Sequence, residues 1–285
     1  MEKPNPCRRR FLVLGAGAVA AGLLASCSAA PGYPGAEPVD VELKHGSFVS
    51  LYRTGVTTEW TVAAPGGATG TGATGPTAAQ LPVALFLHGM GGDNGMVFDD
   101  LRAHEELSRY VGQGGTPFAI AAADGGNSWW HRRTDGSDTQ SMLLQEFVPL
   151  LAGLGFDAGR TAVFGLSMGG FGALLLASQH RLPGLRAVAA MSPAVWSQYD
   201  TARQDNFDSA ADFAANDVFA LRPELELLPK RIDCGTGDNL LYSVRDYAKG
   251  LPGEHSGGFR QGGHDEQYWR EILPDVISFL GKHLG

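Results

Sequence analysis

Beyond residue 80, short apolar runs bounded by glycine clusters alternate with longer stretches whose apolar residues recur at helical spacing. The runs 83–87, 118–122, 162–164, 187–191 and 230–235 read as buried strands, and 257–260 reads as a short edge strand. The stretches 100–111, 139–151, 242–249 and 265–283 read as helices, as does the apolar stretch after Ser167. In the second of them Met142, Leu143, Phe147 and Leu150 share one side. This alternation predicts a mostly parallel central sheet with helices on both faces, an α/β fold. Before residue 80, segments 39–43, 47–52 and 56–63 read as strands, with Gly46 and Gly55 as punctuation. Residues 65–80 are almost wholly Gly, Ala, Thr and Pro and read as an exposed loop between strands. Residues 200–221 alternate acids, alanines and phenylalanines and read as short helices suited to covering a site.

The amino terminus follows a different pattern. Arg8-Arg9-Arg10-Phe11-Leu12 precedes an apolar, glycine-bearing run to Ala25, the layout of an export signal with adjacent arginines of twin-arginine type. Leu24-Ala25-Ser26-Cys27 resembles a bacterial lipobox, which makes Cys27 a lipidation site. The run is short for a hydrocarbon core of about 30 Å and ends in small residues, so cleavage is favoured over a membrane span. The reading is therefore a signal peptide over 1–26, a flexible Ala/Pro/Gly tether over 27–38 and a catalytic domain over 39–285, exported and held on the extracytoplasmic side of the membrane. Gly15-Ala16-Gly17 lies inside the signal without a strand–turn–helix unit and carries no dinucleotide site.

Charge narrows the partners. The 285 residues carry a formal charge of -8. Without positions 1–26 the balance is 18 basic against 29 acidic residues, a surface that repels phosphate backbones. Nucleic acid is not expected as a partner, and no protein partner is indicated. Cys234 is the one cysteine in the body of the chain and reads as a small buried hydrophobe. No metal-ligand spacing or cofactor motif is present, so no cofactor and no metal are expected.

The chemistry centres on Gly165-Leu166-Ser167-Met168-Gly169, a G-x-S-x-G pattern between an apolar strand and an apolar helix. A sharp strand-to-helix turn forces its serine into strained angles, and the flanking glycines let neighbouring chain pass without a Cβ clash. An ordinary glycine-rich turn fits the pentapeptide alone; the strand before and helix after favour a nucleophile. A serine hydroxyl needs a base, and the base a carboxylate. In the chain order Ser, acid, His, the sequence offers Ser167, Asp238 and His264, the last two in glycine loops after strands. Asp233 is the second-ranked acid and His255 the reserve base, while Asp265 reads as a helix cap. The cluster His88-Gly89-Met90-Gly91-Gly92 follows a strand and suits an oxyanion loop, with backbone N–H groups of Met90 and Met168 as donors. His88 reads as a structural residue at the loop root. Trp129, Trp130 and Trp196 either line an apolar pocket or roof the core.

From about residue 81 onward the chain resembles the esterase D-type "putative esterase" family of α/β-hydrolases, which includes S-formylglutathione hydrolases, feruloyl and acetyl esterases and mycolyltransferases. The residues that carry the likeness are Gly165-Leu-Ser-Met-Gly-Gly170 with Phe171-Gly172-Ala173, Glu146-Phe-Val-Pro149 upstream, and Gly263-His264 before a Trp-bearing helix. The resemblance implies an α/β-hydrolase fold, with Ser167 as nucleophile, His264 as base, Asp238 as acid and Met90 in the oxyanion loop. It implies a serine esterase acting on a small-molecule, lipid or sugar ester. An acyltransferase that passes the acyl group to a sugar alcohol, in the manner of a mycolyltransferase, is the alternative. A non-catalytic binding module on the same scaffold is a third reading, which the presence of all three triad candidates disfavours.

Overall fold

The computed structural model describes residues 37–66, 80–202 and 205–285. The signal peptide, Cys27, most of the tether and positions 67–79 of the glycine-rich loop lie outside the described residues. The described strands form one sheet. They are β1 (Val41–Val49), β2 (Thr57–Pro65), β3 (Pro82–Leu87), β4 (Ala119–Ala123), β5 (Asp157–Leu166), β6 (Leu185–Met191), β7 (Lys230–Gly235) and β8 (Ser256–Arg260), in the order β1-β2-β4-β3-β5-β6-β7-β8. β2 pairs antiparallel with β1 and β4, and all later pairs are parallel. The α-helices are α1 (Met96–Asp99), α2 (Ala103–Gly112), α3 (Thr139–Met142), α4 (Val148–Gly153), α5 (Met168–Ser178), α6 (Ala210–Ala215), α7 (Leu241–Lys249) and α8 (Glu266–Leu284).

The middle of the sheet is buried on both faces: β3 and β4 are apolar and buried at every position. In β3, Val83, Leu85 and Leu87 join one core cluster while Ala84 and Phe86 join the other, as the two-residue period of a strand requires. α5 covers the first face and is buried at all its positions. It is apolar all round, which suits a helix enclosed on every side. Burial of Leu174, Leu175 and Leu176 contributes about 1.5–3 kcal/mol each. α8 packs on the other face through Ile272, Leu273, Val276, Ile277 and Leu280.

Three local expectations change. Gly46 does not interrupt a strand: β1 runs through it from Val41 to Val49, and a Cβ at Gly46 would run into the indole of its cross-strand partner Trp60. The glycine makes room for a ring instead of marking a turn. The helix expected over 100–111 begins only at Ala103, because Arg102 takes a left-handed φ of 56° and separates α1 from α2. The helix expected over 139–151 is three pieces, with a π-helical turn over Leu143–Phe147 between α3 and α4. Pro149 stands at the start of α4. Its ring and missing N–H disfavour an ordinary α turn before it, and the wider turn removes that conflict. Glu146 in this turn accepts hydrogen bonds from Ser50 Oγ at 2.6 Å and Leu51 N at 2.8 Å, which ties the β1–β2 hairpin to the helix.

Candidate active site

Ser167 stands between β5, near the centre of the sheet, and α5. Its backbone lies at φ 51° and ψ -117°, outside the regions a side-chain-bearing residue favours. Such strain persists only where the surroundings hold it, and here they do so on two sides. Ser167 N donates to Met191 O, and Ala194 N donates to Ser167 O, each at 3.0 Å. The flanking glycines follow from contact: a Cβ at Gly169 would strike Leu87 O, and one at Gly165 would strike Gly169 O. The resulting turn presents Ser167 half-buried, with Met168 in the first turn of α5, where backbone N–H groups lack helical partners.

The structure brings the three separated side chains together. His264 Nε2 lies 2.9 Å from Ser167 Oγ, and His264 Nδ1 lies 2.9 Å from Asp238 Oδ2. Asp238 follows β7 and His264 follows β8, so all three groups sit at the carboxyl ends of parallel strands. The Asp238 side chain is fully buried, while His264 is partly open to solvent. Burial pushes the Asp238 carboxyl up; hydrogen bonds from His264 and Leu240 N outweigh it and hold the group below its ordinary 3.8. A carboxylate facing Nδ1 fixes a proton there and leaves Nε2 to accept from the serine hydroxyl. Trp269 abuts the His264 ring edge-on at 5.1 Å.

The loop after β3 lies beside this group, and a Cβ at Gly89 would stand 3.7 Å from Ser167 Cβ. The loop is held on both sides of Met90. Gly92 N donates to Gly89 O at 3.1 Å, and Gly91 N donates to Asn127 Oδ1 at 2.8 Å. His88 braces its root. His88 Nε2 accepts from Gly125 N at 2.9 Å, so the proton belongs on Nδ1, which donates to Gly89 O at 2.8 Å. Both ring nitrogens are thus committed to backbone, in keeping with a structural residue.

Over residues 74–280 the sequence matches the family described as "Putative esterase". The chain belongs to this esterase family. It is a carboxylic-ester hydrolase of α/β-hydrolase fold. Among solved structures, the esterase is similar to a ferulic acid esterase (TM-score 0.71, 21% identity, 86% of this chain and 99% of that chain covered). It is also similar to S-formylglutathione hydrolases from Staphylococcus aureus (TM-score 0.67, 15% identity, 85% and 99% covered) and Agrobacterium tumefaciens (TM-score 0.67, 17% identity, 85% and 95% covered). At such identities the likeness is one of fold. A search of curated proteins finds no match.

The remaining candidates of the esterase fall elsewhere. Both carboxylate oxygens of Asp233 are taken by Arg231, at 2.7 and 2.9 Å, and burial pushes this carboxyl up. His255 is exposed on the loop before β8. Asp265 caps α8 by accepting from Tyr268 N at 2.9 Å. Cys234 is buried, and burial pushes its thiol up to about 12, which keeps it protonated and inert. Trp129 and Trp130 are 4% and 1% exposed, so they roof the core and form no wall of an open pocket. Trp130 wedges between the loop root and α5: its Nε1 donates to His88 O at 3.1 Å, and a Cβ at Gly172 would strike its side chain. Trp129 packs on Phe171 and on half-buried Trp196, with ring centroids at 6.0 and 5.5 Å.

A cleft of about 390 Å³ has Arg53, Asn127, Ser128, Arg133 and Asp205 among its walls and no triad residue. Among the described residues no group of three His, Cys, Asp or Glu is placed to hold a metal ion, and no helix is long and apolar enough to cross a membrane. Sequence reasoning missed Asn127, which sits in a Gly-Gly-Asn-Ser turn that resembles any other.

Proposed function

We propose that this esterase works through an acyl-enzyme on Ser167, and that it does so at the cell envelope as an exported protein anchored through a lipid on Cys27. The observation that carries the catalytic reading is the unbroken chain from Asp238 Oδ2 through His264 to Ser167 Oγ, with both links at 2.9 Å. His264 Nε2 takes the proton of Ser167 as Oγ attacks the ester carbonyl. The developing oxyanion is met by the N–H groups of Met90 and Met168. The C–O bond to the alcohol breaks, and the alcohol leaves with the proton held on His264. Water then attacks the acyl-enzyme, gives its proton to His264, and the acid departs as Ser167 is restored. The substrates are small-molecule esters. The anchoring part rests on Arg8-Arg9-Arg10 and Leu24-Ala25-Ser26-Cys27.

A fluorophosphonate probe tests the nucleophile. The wild type takes up one equivalent on Ser167 and loses p-nitrophenyl acetate turnover. Ser167→Ala takes up none and turns over no ester while unfolding at the same temperature. An unlabelled wild type, or a Ser167→Ala enzyme with wild-type turnover, contradicts the reading. Anchoring is tested separately by whether the full chain partitions to the membrane fraction and Cys27→Ala does not.

A further inference from the structure

One indole fills the space between the loop after β3, the turn after β4 and the helix behind the nucleophile. Trp130 is 1% exposed, and it and Trp129 adopt left-handed backbone, at φ 57° and 59°. Bulky residues rarely take that conformation, and it persists only where the surroundings over-determine it. Two glycines make room for the side chain. A Cβ at Gly172 of α5 would stand 2.5 Å from Trp130 Cβ, and one at Gly125 would stand 2.6 Å from the far edge of the ring. Trp130 N donates to Ser128 Oγ at 3.2 Å, so the strained backbone leaves no orphan N–H. The indole Nε1 donates to His88 O at 3.1 Å, and the rings of Trp130 and His88 meet edge-on with centroids at 5.0 Å. The same carbonyl is close to the first turn of α5, where a Cβ at Gly169 would lie 2.6 Å from His88 O. These contacts converge on the root of the loop that carries Met90.

We propose that Trp130 is a positioning residue for the oxyanion loop: its indole N–H, aimed by α5 and the turn after β4, fixes the carbonyl from which the Gly89–Met90 backbone departs. The proposal rests on the acyl-enzyme reading given above, with Met90 and Met168 as oxyanion donors. His88 lies one residue past β3, so the peptide after it is placed by side chains and turns and not by the strand ladder. That peptide leads into Gly89, where a Cβ would stand 3.7 Å from Ser167 Cβ, so a shift at the root is felt beside the nucleophile. Met168 opens α5, and the same indole packs on α5 at Gly172. One rigid side chain thus sets the separation of two donors that must meet a single oxygen as it becomes charged. Phenylalanine would fill the same space without a donor. The hydrogen bond to His88 O therefore gives the strained backbone at this position a catalytic purpose beyond packing.

The experiment removes the N–H and keeps the bulk. Trp130→Phe is expected to fold, with kcat for p-nitrophenyl acetate lower by about two- to tenfold, the worth of one neutral hydrogen bond, and with KM little changed. The diagnostic readout is the affinity of an alkyl trifluoromethyl ketone, whose adduct with Ser167 places an anionic oxygen between the two donors. Its dissociation constant is expected to rise by the factor by which kcat falls. A merely structural role lowers the unfolding temperature and leaves this affinity alone. Incorporation of benzothienylalanine at position 130 is the second variant. It keeps the bicyclic shape with sulfur in place of the N–H, and it decides the matter where Trp130→Phe does not fold. Wild-type kcat and ketone affinity in a folded variant overturn the proposal, and so does a lower kcat with unchanged ketone affinity. Failure of both variants to fold also overturns it, because the N–H then serves the fold. Fluorophosphonate labelling of Ser167 in wild type keeps these outcomes separate from failure of the acyl-enzyme reading, which an unlabelled wild type alone would show.

Discussion

Asn127 Oδ1 accepts the N–H of Gly91 at 2.8 Å across a gap of 36 residues in the chain. This bond joins the turn after β4 to the loop that carries Met90, a loop that the Gly92 N to Gly89 O bond closes around that residue. Met90 itself is 51% exposed, so little side-chain packing fixes its backbone. The amide of Asn127 thereby orients a group it does not touch. Asn127→Ala is expected to lower kcat for p-nitrophenyl acetate by about two- to tenfold, the worth of one neutral hydrogen bond, with no change in unfolding temperature. Only an acceptor is needed, so Asn127→Asp is expected to retain activity. Equal kcat in Asn127→Ala and wild type counts against this role.

Asp238 leads to a second expectation, because its two oxygens are not equivalent. Oδ1 accepts Leu240 N at 2.8 Å, and Oδ2 faces His264 Nδ1. In Asp238→Asn the backbone donor selects the amide oxygen, which turns the NH2 group toward His264. Nδ1 must then accept, the ring proton moves to Nε2, and Nε2 no longer receives the proton of Ser167. The equivalent change in a serine protease triad costs about 10⁴ in kcat, and a loss on the order of 10³–10⁴ is expected here. Steady-state turnover checks it, with circular dichroism to show the fold retained. A loss below tenfold would mean that the ring orientation does not depend on this carboxylate.

How far the sequence reveals this site depends on the kind of constraint each residue obeys. The elbow is written locally: Gly165 and Gly169 are where a Cβ would meet backbone, so the pattern of small residues records the geometry directly. Asp238 and His264 follow from chain order and from glycine loops at strand ends. Gly46 shows the limit of that logic, because the same residue type can serve a ring from the neighbouring strand, and only the register with Trp60 tells the two apart. Trp129 and Trp130 were legible as large apolar side chains near the site. Their facing depends on consecutive left-handed backbone at φ 59° and 57°, which turns them inward and which no periodicity announces. Asn127 acts through a contact 36 residues away in sequence, at Gly91, and belongs to no motif.

The last expectation concerns the segment around α6. Arg133 donates to Asp208 Oδ1 from Nε at 3.0 Å and from a terminal nitrogen at 2.8 Å, and Thr134 N donates to Oδ2 at 2.7 Å. Arg133 also reaches the carbonyls of Asp205 and Asn206. Beneath these bonds, Phe207 stacks on His131 with centroids at 5.5 Å and meets Phe171 of α5. Asp208 therefore fastens this segment over the helix that begins beside the nucleophile. The Arg133 hydrogen bonds lead in lowering its carboxyl from 3.8 to about 2, against the opposing effect of burial. A carboxyl lowered in the docked state stabilises docking fully above 3.8, and that stability is lost as pH falls through about 2. Hydrogen exchange of the 205–216 amides is expected to show constant protection above the upper value and declining protection below it. Asp208→Asn removes the charge, so its protection is expected to be lower at neutral pH and flatter across the acid range. If wild type and Asp208→Asn lose protection in parallel as pH falls, another acid fastens the segment.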